Sequence, residues 1–300
     1  MHATTKLLLV TITGIGLTMI PTPAVRAHEE GAPFSGAIIE PLELHHAHIE
    51  DEQRVNLFFR DNVPPEPEEA EEGAKPRDVF FHTYEIAWGS DDFRWGVEAF
   101  IPFSNEGTND GESVYGLGDI EIQPVKYAWI NEPETILTTA LGIVLPTGSE
   151  RKELGEGNTL IEPHIFLDQA YRNWYFGANL VPSVSVGGQT QSALEWGMMA
   201  AYSFIAETDR VAPTKPRQAW VPATSFEVVG EAGLGGVGKE EHIVSVLPGF
   251  SLWHPDSGWQ LRVGVRLPIS EDREETKMFL VQIGNHVDWG RLLGRRRTQP

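Results

Sequence analysis

Asn173 to Val186 reads NWYFGANLVPSVSV. Side chains of an extended chain alternate between two faces. One face carries Trp174, Phe176, Ala178, Leu180, Pro182, Val184 and Val186, and the other carries Asn173, Tyr175, Gly177, Asn179, Val181, Ser183 and Ser185. The run exceeds the five or six residues usual for strands of soluble sheets, and it is long enough to cross a bilayer at a tilt. The split recurs with Leu194, Trp196, Met198, Ala200, Tyr202 and Phe204 against Glu195, Gly197, Met199, Ala201 and Ser203. Trp259, Leu261, Val263, Val265 and Leu267 oppose Gln260, Arg262, Gly264 and Arg266. Phe93, Trp95, Val97, Ala99, Ile101 and Phe103 oppose Arg94, Gly96, Glu98, Phe100 and Pro102.

Such runs occur near 52–60, 78–88, 93–103, 115–130, 133–145, 159–170, 173–187, 191–206, 219–233, 240–253, 259–269 and 276–289. Twelve is an even number, as a closed bacterial barrel requires, and closure leaves no strand edge unpaired in lipid. The fold expected is all-β: a single antiparallel transmembrane β-barrel of about twelve strands, preceded by a short irregular N-terminal segment. Long and short connections alternate at first, then slip, with 188–190 short and 207–218 long, so ten or fourteen strands also fit. Trp88, Phe93, Trp174, Trp196, Trp253, Trp259 and Trp289 fall near the ends of apolar faces, where interfacial aromatic girdles sit. A soluble barrel would turn its apolar face inward, and alternation alone does not separate the two; strand length and aromatic ends favour the membrane.

The ends divide the chain further. Lys6, the apolar stretch Leu7 to Ile20, and Pro21 to Ala27 with Val25 and Ala27 at −3 and −1 read as a signal peptide over 1–27. A His- and Glu-rich segment expected in the periplasm covers 28–51, the barrel covers 52–289 and a basic tail covers 290–300. There is no cysteine, hence no disulfide framework and no thiolate metal site. The net charge of −20 becomes −22 without Lys6 and Arg26, which argues against nucleic acid as a partner. The acidic run Pro64 to Glu72 reads as a solvated loop.

Near the end of the last strand, Gln282, Gly284, Val287 and Trp289 follow the polar-x-Gly-x-x-apolar-x-aromatic pattern that outer-membrane barrels show in their closing strand, with Phe279, Val281, Ile283, Val287 and Trp289 on one side. Tyr115 to Gly188 holds further motifs. Gly116-Leu117-Gly118-Asp119-Ile120 leads into Pro124-Val125-Lys126-Tyr127-Ala128; Ala140 to Ser149 (ALGIVLPTGS) follows, then Leu154-Gly155-Glu156-Gly157. This stretch resembles the outer-membrane barrel family labelled putative MetA-pathway of phenol degradation, in which GLGD opens a strand and PTGS feeds an exposed loop. The resemblance implies an outer-membrane barrel and transport of small aromatic or other hydrophobic compounds.

If apolar faces meet lipid, the opposite faces line the interior. They place there Arg94, Glu98, Asp119, Glu121, Gln123, Glu162, His164, Asp168, Asn179, Glu195, Glu227, Gln260, Arg262, Arg266 and Gln282. Opposite charges would orient a polar solute or satisfy one another and fill the barrel. His28, His45, His46 and His48, completed by Glu43 or Glu50, are the metal-ligating candidates, against a solvated, flexible segment that binds metal adventitiously. Gly233 to Lys239 (GLGGVGK) superficially resembles a phosphate loop, but Glu240 stands where Ser or Thr is needed, and it reads as a glycine-rich connection.

No catalytic constellation emerges, and the chain is expected not to be an enzyme and to need no cofactor. The function expected is a passive outer-membrane channel for small molecules, partnered by outer-membrane lipid, the barrel-assembly machinery and a small-molecule solute. The alternative is a closed structural or metal-binding envelope barrel.

Overall fold

A computed structural model describes residues 39–63, 77–107, 113–152, 154–187, 191–205, 220–236, 242–254, 257–270, 277–287 and 289. The expected signal peptide, His28, the acidic run 64–72 and the tail 290–300 lie outside the described residues.

Among the described residues thirteen strands form: β1 (Glu52–Val63), β2 (Arg77–Gly89), β3 (Trp95–Gly107), β4 (Ser113–Leu117), β5 (Ile120–Glu132), β6 (Thr135–Leu145), β7 (Thr159–Tyr171), β8 (Trp174–Val186), β9 (Gln191–Ser203), β10 (Val221–Gly236), β11 (His242–Trp253), β12 (Trp259–Pro268) and β13 (Met278–His286). Each consecutive pair from β5 onward is antiparallel, β13 pairs with β1, β1 with β2 and β2 with β3, and β3 meets both β4 and β5. The ring therefore closes. β4 and β5 are one wall strand interrupted at Gly118 and Asp119, so the barrel has twelve strands. No helix among the described residues is long and apolar enough to cross a membrane.

The slip in loop lengths does not change that count. β8 and β9 are joined through 187–190, and β9 and β10 through 204–220; one short connection and one long one sit at opposite ends of the barrel.

The two faces separate as alternation requires. On β8, Tyr175, Val181 and Ser183 are buried, whereas Trp174, Phe176, Leu180 and Val184 are exposed. Large apolar residues exposed around the outside include Trp129, Leu167, Met198, Phe226, Phe250 and Phe279. A water-soluble protein rarely presents so continuous an apolar exterior. Trp95, Tyr127, Trp129, Tyr171, Trp174, Phe204 and Trp220 are exposed near the end of the barrel that β1 leaves and β13 reaches. They form the described interfacial girdle.

Three girdle expectations, Phe93, Trp253 and Trp289, are corrected, and with them the outward facing of Val287. Phe93 is buried in the β2–β3 turn at φ 53°, outside any strand, and Trp253 is buried at the end of β11. Val287 is fully buried because β13 ends at His286; its N–H donates to Asp51 O at 2.9 Å rather than continuing the lipid face. Trp289 turns inward as well, with Nε1 donating to Ala87 O at 2.7 Å.

Candidate functional site

Residues 39–51 have no regular structure, so their peptide groups need other partners. Glu227 on β10 accepts hydrogen bonds from the N–H groups of Leu42 (2.6 Å), Glu43 (3.1 Å) and Leu44 (3.3 Å). Asp168 on β7 accepts from Ala47 N–H at 2.7 Å, and Thr138 on β6 donates to Ala47 O at 2.6 Å. Gln282 on β13 donates to Leu42 O. Strands β6, β7, β10 and β13 surround the axis, so a segment bonded to all of them threads the lumen. Small wall residues make room for it. A Cβ at Gly249 would stand 2.5 Å from Leu42 Cδ1, and one at Gly197 would stand 2.8 Å from Leu44 Cγ.

The expectation of a solvated periplasmic segment is therefore corrected over 39–51: this stretch fills the barrel. The histidine cluster is corrected with it. His45 meets the ring of His164, with centroids 5.3 Å apart. His46 faces Glu52 at 3.9 Å, and His48 faces Asp168 at 3.4 Å. Alternation turns His45 away from His46 and His48, whose ring centroids are 5.7 Å apart; no cluster of donor atoms among the described residues holds two of the three.

Two polar regions result. In the first, Glu40 of the segment binds Arg54 on β1 and Arg262 on β12, and it accepts from Gln260 Nε2 at 2.9 Å. Arg54 also pairs with Glu52 at 2.9 Å and Glu85 at 3.4 Å, and Glu50 pairs with His286 at 3.1 Å. Burial opposes ionisation of Glu40, but Arg262 and Arg54 together outweigh it and hold the carboxyl well below its usual range.

In the second region, Glu121 on β5 lies 3.6 Å from Nε2 of His164 on β7, and Gln123 donates to Glu121 at 2.9 Å. Glu162, two residues before His164, shares the inward face. Lys126 is tied to Glu98 at 2.5 Å. Burial, followed by His164 and Lys126, pushes the His45 imidazole well below its usual range, so it is neutral. Between the segment and the wall lies a cavity of about 300 Å³, lined by His45, Arg54, Phe58, Glu98, Phe100 and Glu121 among others.

The remaining lumen candidates divide. Glu98, Gln123, Asp168, Glu227, Gln260, Arg262 and Gln282 are buried on the inward face, and Asn179 and Arg266 are half-buried, Arg266 pairing with Glu43. Glu195 is exposed, opposite Glu231 of β10. Arg94 is corrected: β3 begins one residue later, and Arg94 is exposed in the turn with Nη1 donating to Ala128 O at 3.3 Å.

Asp119 touches the cavity but acts as a clamp. Its carboxylate accepts from Gly148 N–H and Glu156 N–H, both at 2.8 Å, while Thr147 Oγ1 donates to Gly118 O at 2.8 Å. The GLGD, PTGS and LGEG motifs thus tie the loop between β6 and β7 onto the break between β4 and β5. A side chain at Gly155 would collide with the Asp119 carboxylate. Sequence reasoning passed over Glu40, Glu52, Arg54, Lys126 and His286. The alternation of Glu52, Arg54 and Asn56 at the start of β1 was the available signal.

No protein-family model matches the chain, and no curated protein matches it. Among solved structures, a COG4313 outer membrane channel from Pseudomonas putida F1 superimposes with a TM-score of 0.51 at 11% identity, over 82% of this chain and 99% of that one. The fold is that of an outer-membrane β-barrel. LpxR from Salmonella typhimurium matches with a TM-score of 0.43 at 10% identity, over 78% of this chain and 99% of that one. OmpF from Salmonella typhi, in complex with daunomycin, gives 0.33 at 9% identity, over 78% and 96%. The exclusion of enzymatic activity is withdrawn, because an outer-membrane barrel fold does not by itself decide whether a chain is a catalyst. One fold hosts many activities.

Proposed function

We propose that this chain is an outer-membrane channel for small molecules whose path is set by residues 39–51. The observation that carries the reading is a closed barrel, apolar outside and polar inside, whose lumen holds a cavity of about 300 Å³ beside that segment. Solute passes the segment only when the wall contacts of Leu42 to Ala47 rearrange. Export through a signal peptide at 1–27, insertion by the barrel-assembly machinery and contact of the exterior with outer-membrane lipid belong to this reading. So do small aromatic or hydrophobic solutes, supported by the resemblance of residues 115–188 to the phenol-degradation family and by Phe58 and Phe100 at the cavity.

Planar-bilayer recording of the full chain beside a variant lacking residues 39–50, which keeps Asp51 at the seam, tests it. Brief, small openings in the full chain and larger, sustained ones in the variant are expected. The many wall contacts of the segment favour a second reading, a closed envelope barrel; persistent silence of the full chain, whether or not the variant opens, would select it and end the channel reading.

A further inference from the structure

We propose that Glu121, Glu162 and His164 form a binding site for a divalent transition-metal cation of the zinc type, built into the barrel wall beside the luminal cavity that Glu121 lines. One donor atom from each residue lies within 4.8 Å of the others. Zinc holds imidazole nitrogen and carboxylate oxygen at about 2.0–2.2 Å, so small side-chain movements would draw these donors onto one ion. Two further observations point to a ligand. His164 is 2% exposed, and neither ring nitrogen has a hydrogen-bond partner among the described residues; a buried imidazole of this kind is costly unless something fills its lone pair. Gly142 on β6, between β5 and β7, forms the floor. A Cβ there would stand 2.6 Å from His164 Nε2 and 3.1 Å from Glu121 Oε1, so glycine keeps open the space where the donors converge.

Charge separates this group from the other two that bring His and Glu together in the lumen. Glu40, His46 and Glu52, and Glu40, Glu50 and His286, lie as close. Glu40 there already binds Arg54 and Arg262, Glu52 binds Arg54 and Glu50 binds His286, so an added cation would meet positive charge. Glu121 and Glu162 have no ion pair with Arg or Lys among the described residues, and Lys126 is taken by Glu98. A divalent ion would neutralise the two carboxylates and leave the imidazole neutral, as ligation requires. Gln123, donating to Glu121 at 2.9 Å, orients one ligand from outside the site. His45, whose ring meets that of His164, places a further imidazole beside it. The site stands whether or not the lumen conducts.

Calorimetric titration of the refolded full chain in detergent with zinc chloride tests the assignment, with Co²⁺ absorption as the spectroscopic probe. One equivalent of zinc should bind with a micromolar or tighter dissociation constant. Glu162→Gln, His164→Gln and Gly142→Ala should each weaken it at least about tenfold, while Glu132→Gln, at an exposed carboxylate on the far end of β5, leaves it unchanged. The Co²⁺ ligand-field bands should disappear in His164→Gln. A heat-modifiable electrophoretic shift verifies that each variant folds. Zinc affinity no tighter than millimolar, or full affinity retained in folded His164→Gln and Gly142→Ala, would overturn the proposal.

Discussion

Glu40 and Glu162 are both buried glutamates inside the same barrel, in opposite electrical settings. Two arginines from opposite sides of the β1–β13 seam reach Glu40 and fasten the luminal segment to the wall. Glu162 stands near another carboxylate and a histidine, with no arginine paired to it among the described residues. The first region is complete as it stands and holds the segment. The second holds two carboxyls with no arginine or lysine paired to them among the described residues, the condition of a place that receives something.

The largest effect should come from breaking the balanced region. Arg54→Met would leave Glu40, Glu52 and Glu85 short of their shared partner, and removing one member of a buried ion pair costs about 3–5 kcal/mol. A fall of that size in urea unfolding of the detergent-folded protein is expected; an unchanged midpoint would mean that the cluster does not hold the structure. Glu227→Leu should come next. It removes the acceptor of three backbone N–H groups and should cost up to about 3 kcal/mol. Hydrogen exchange should accelerate at Leu42, Glu43 and Leu44 ahead of the strands.

Acid should act on the same contact more gently. The folded carboxyl of Glu40 ionises below its unfolded value, so its contribution is fully present above the unfolded pKa of about 4.3 and is lost as pH falls below that. Amide protection of residues 42–47 should therefore be flat from neutral pH to about pH 5 and decline below about pH 4.3. Protection that fell between pH 7 and 6 would contradict the assignment. The smallest effect should have the opposite sign. Without metal, Glu162→Gln replaces a buried carboxyl that lacks a cation with a neutral amide and should stabilise the barrel by about 1 kcal/mol or less. A clear loss of stability, measured in chelator, would erase the contrast between the regions.

The wall was legible because alternation is a local property. Asn173 to Val186 declares both faces within fourteen residues, and twelve runs became twelve wall strands although the loop rhythm slipped. The contents of the lumen were not legible. Leu42 and Glu227 are 185 positions apart, and Ala47 and Asp168 are 121 apart; no periodicity near residue 40 announces such partners. His45, His46 and His48 look like one ligand set on paper because spacing in sequence hides direction in space. Asp119 falls on the polar face by alternation, yet the one-residue irregularity at the β4–β5 break turns its carboxylate to the loop. Arg94 failed for a simpler reason, a strand boundary placed two residues too early.

Asp51 joins the luminal segment to β1, and it also knits the junction of first and last strands: its backbone oxygen receives Val287 N–H, and its carboxylate receives Gly89 N–H at 2.9 Å and Trp289 N–H at 3.2 Å. A cylinder whose final suture is tied at the root of its own stopper imposes an order of events. Either the stopper is seated while the wall is still an open sheet, or it must be threaded through a finished opening against those knots. The last step of assembly and the first step of unblocking therefore depend on the same few bonds.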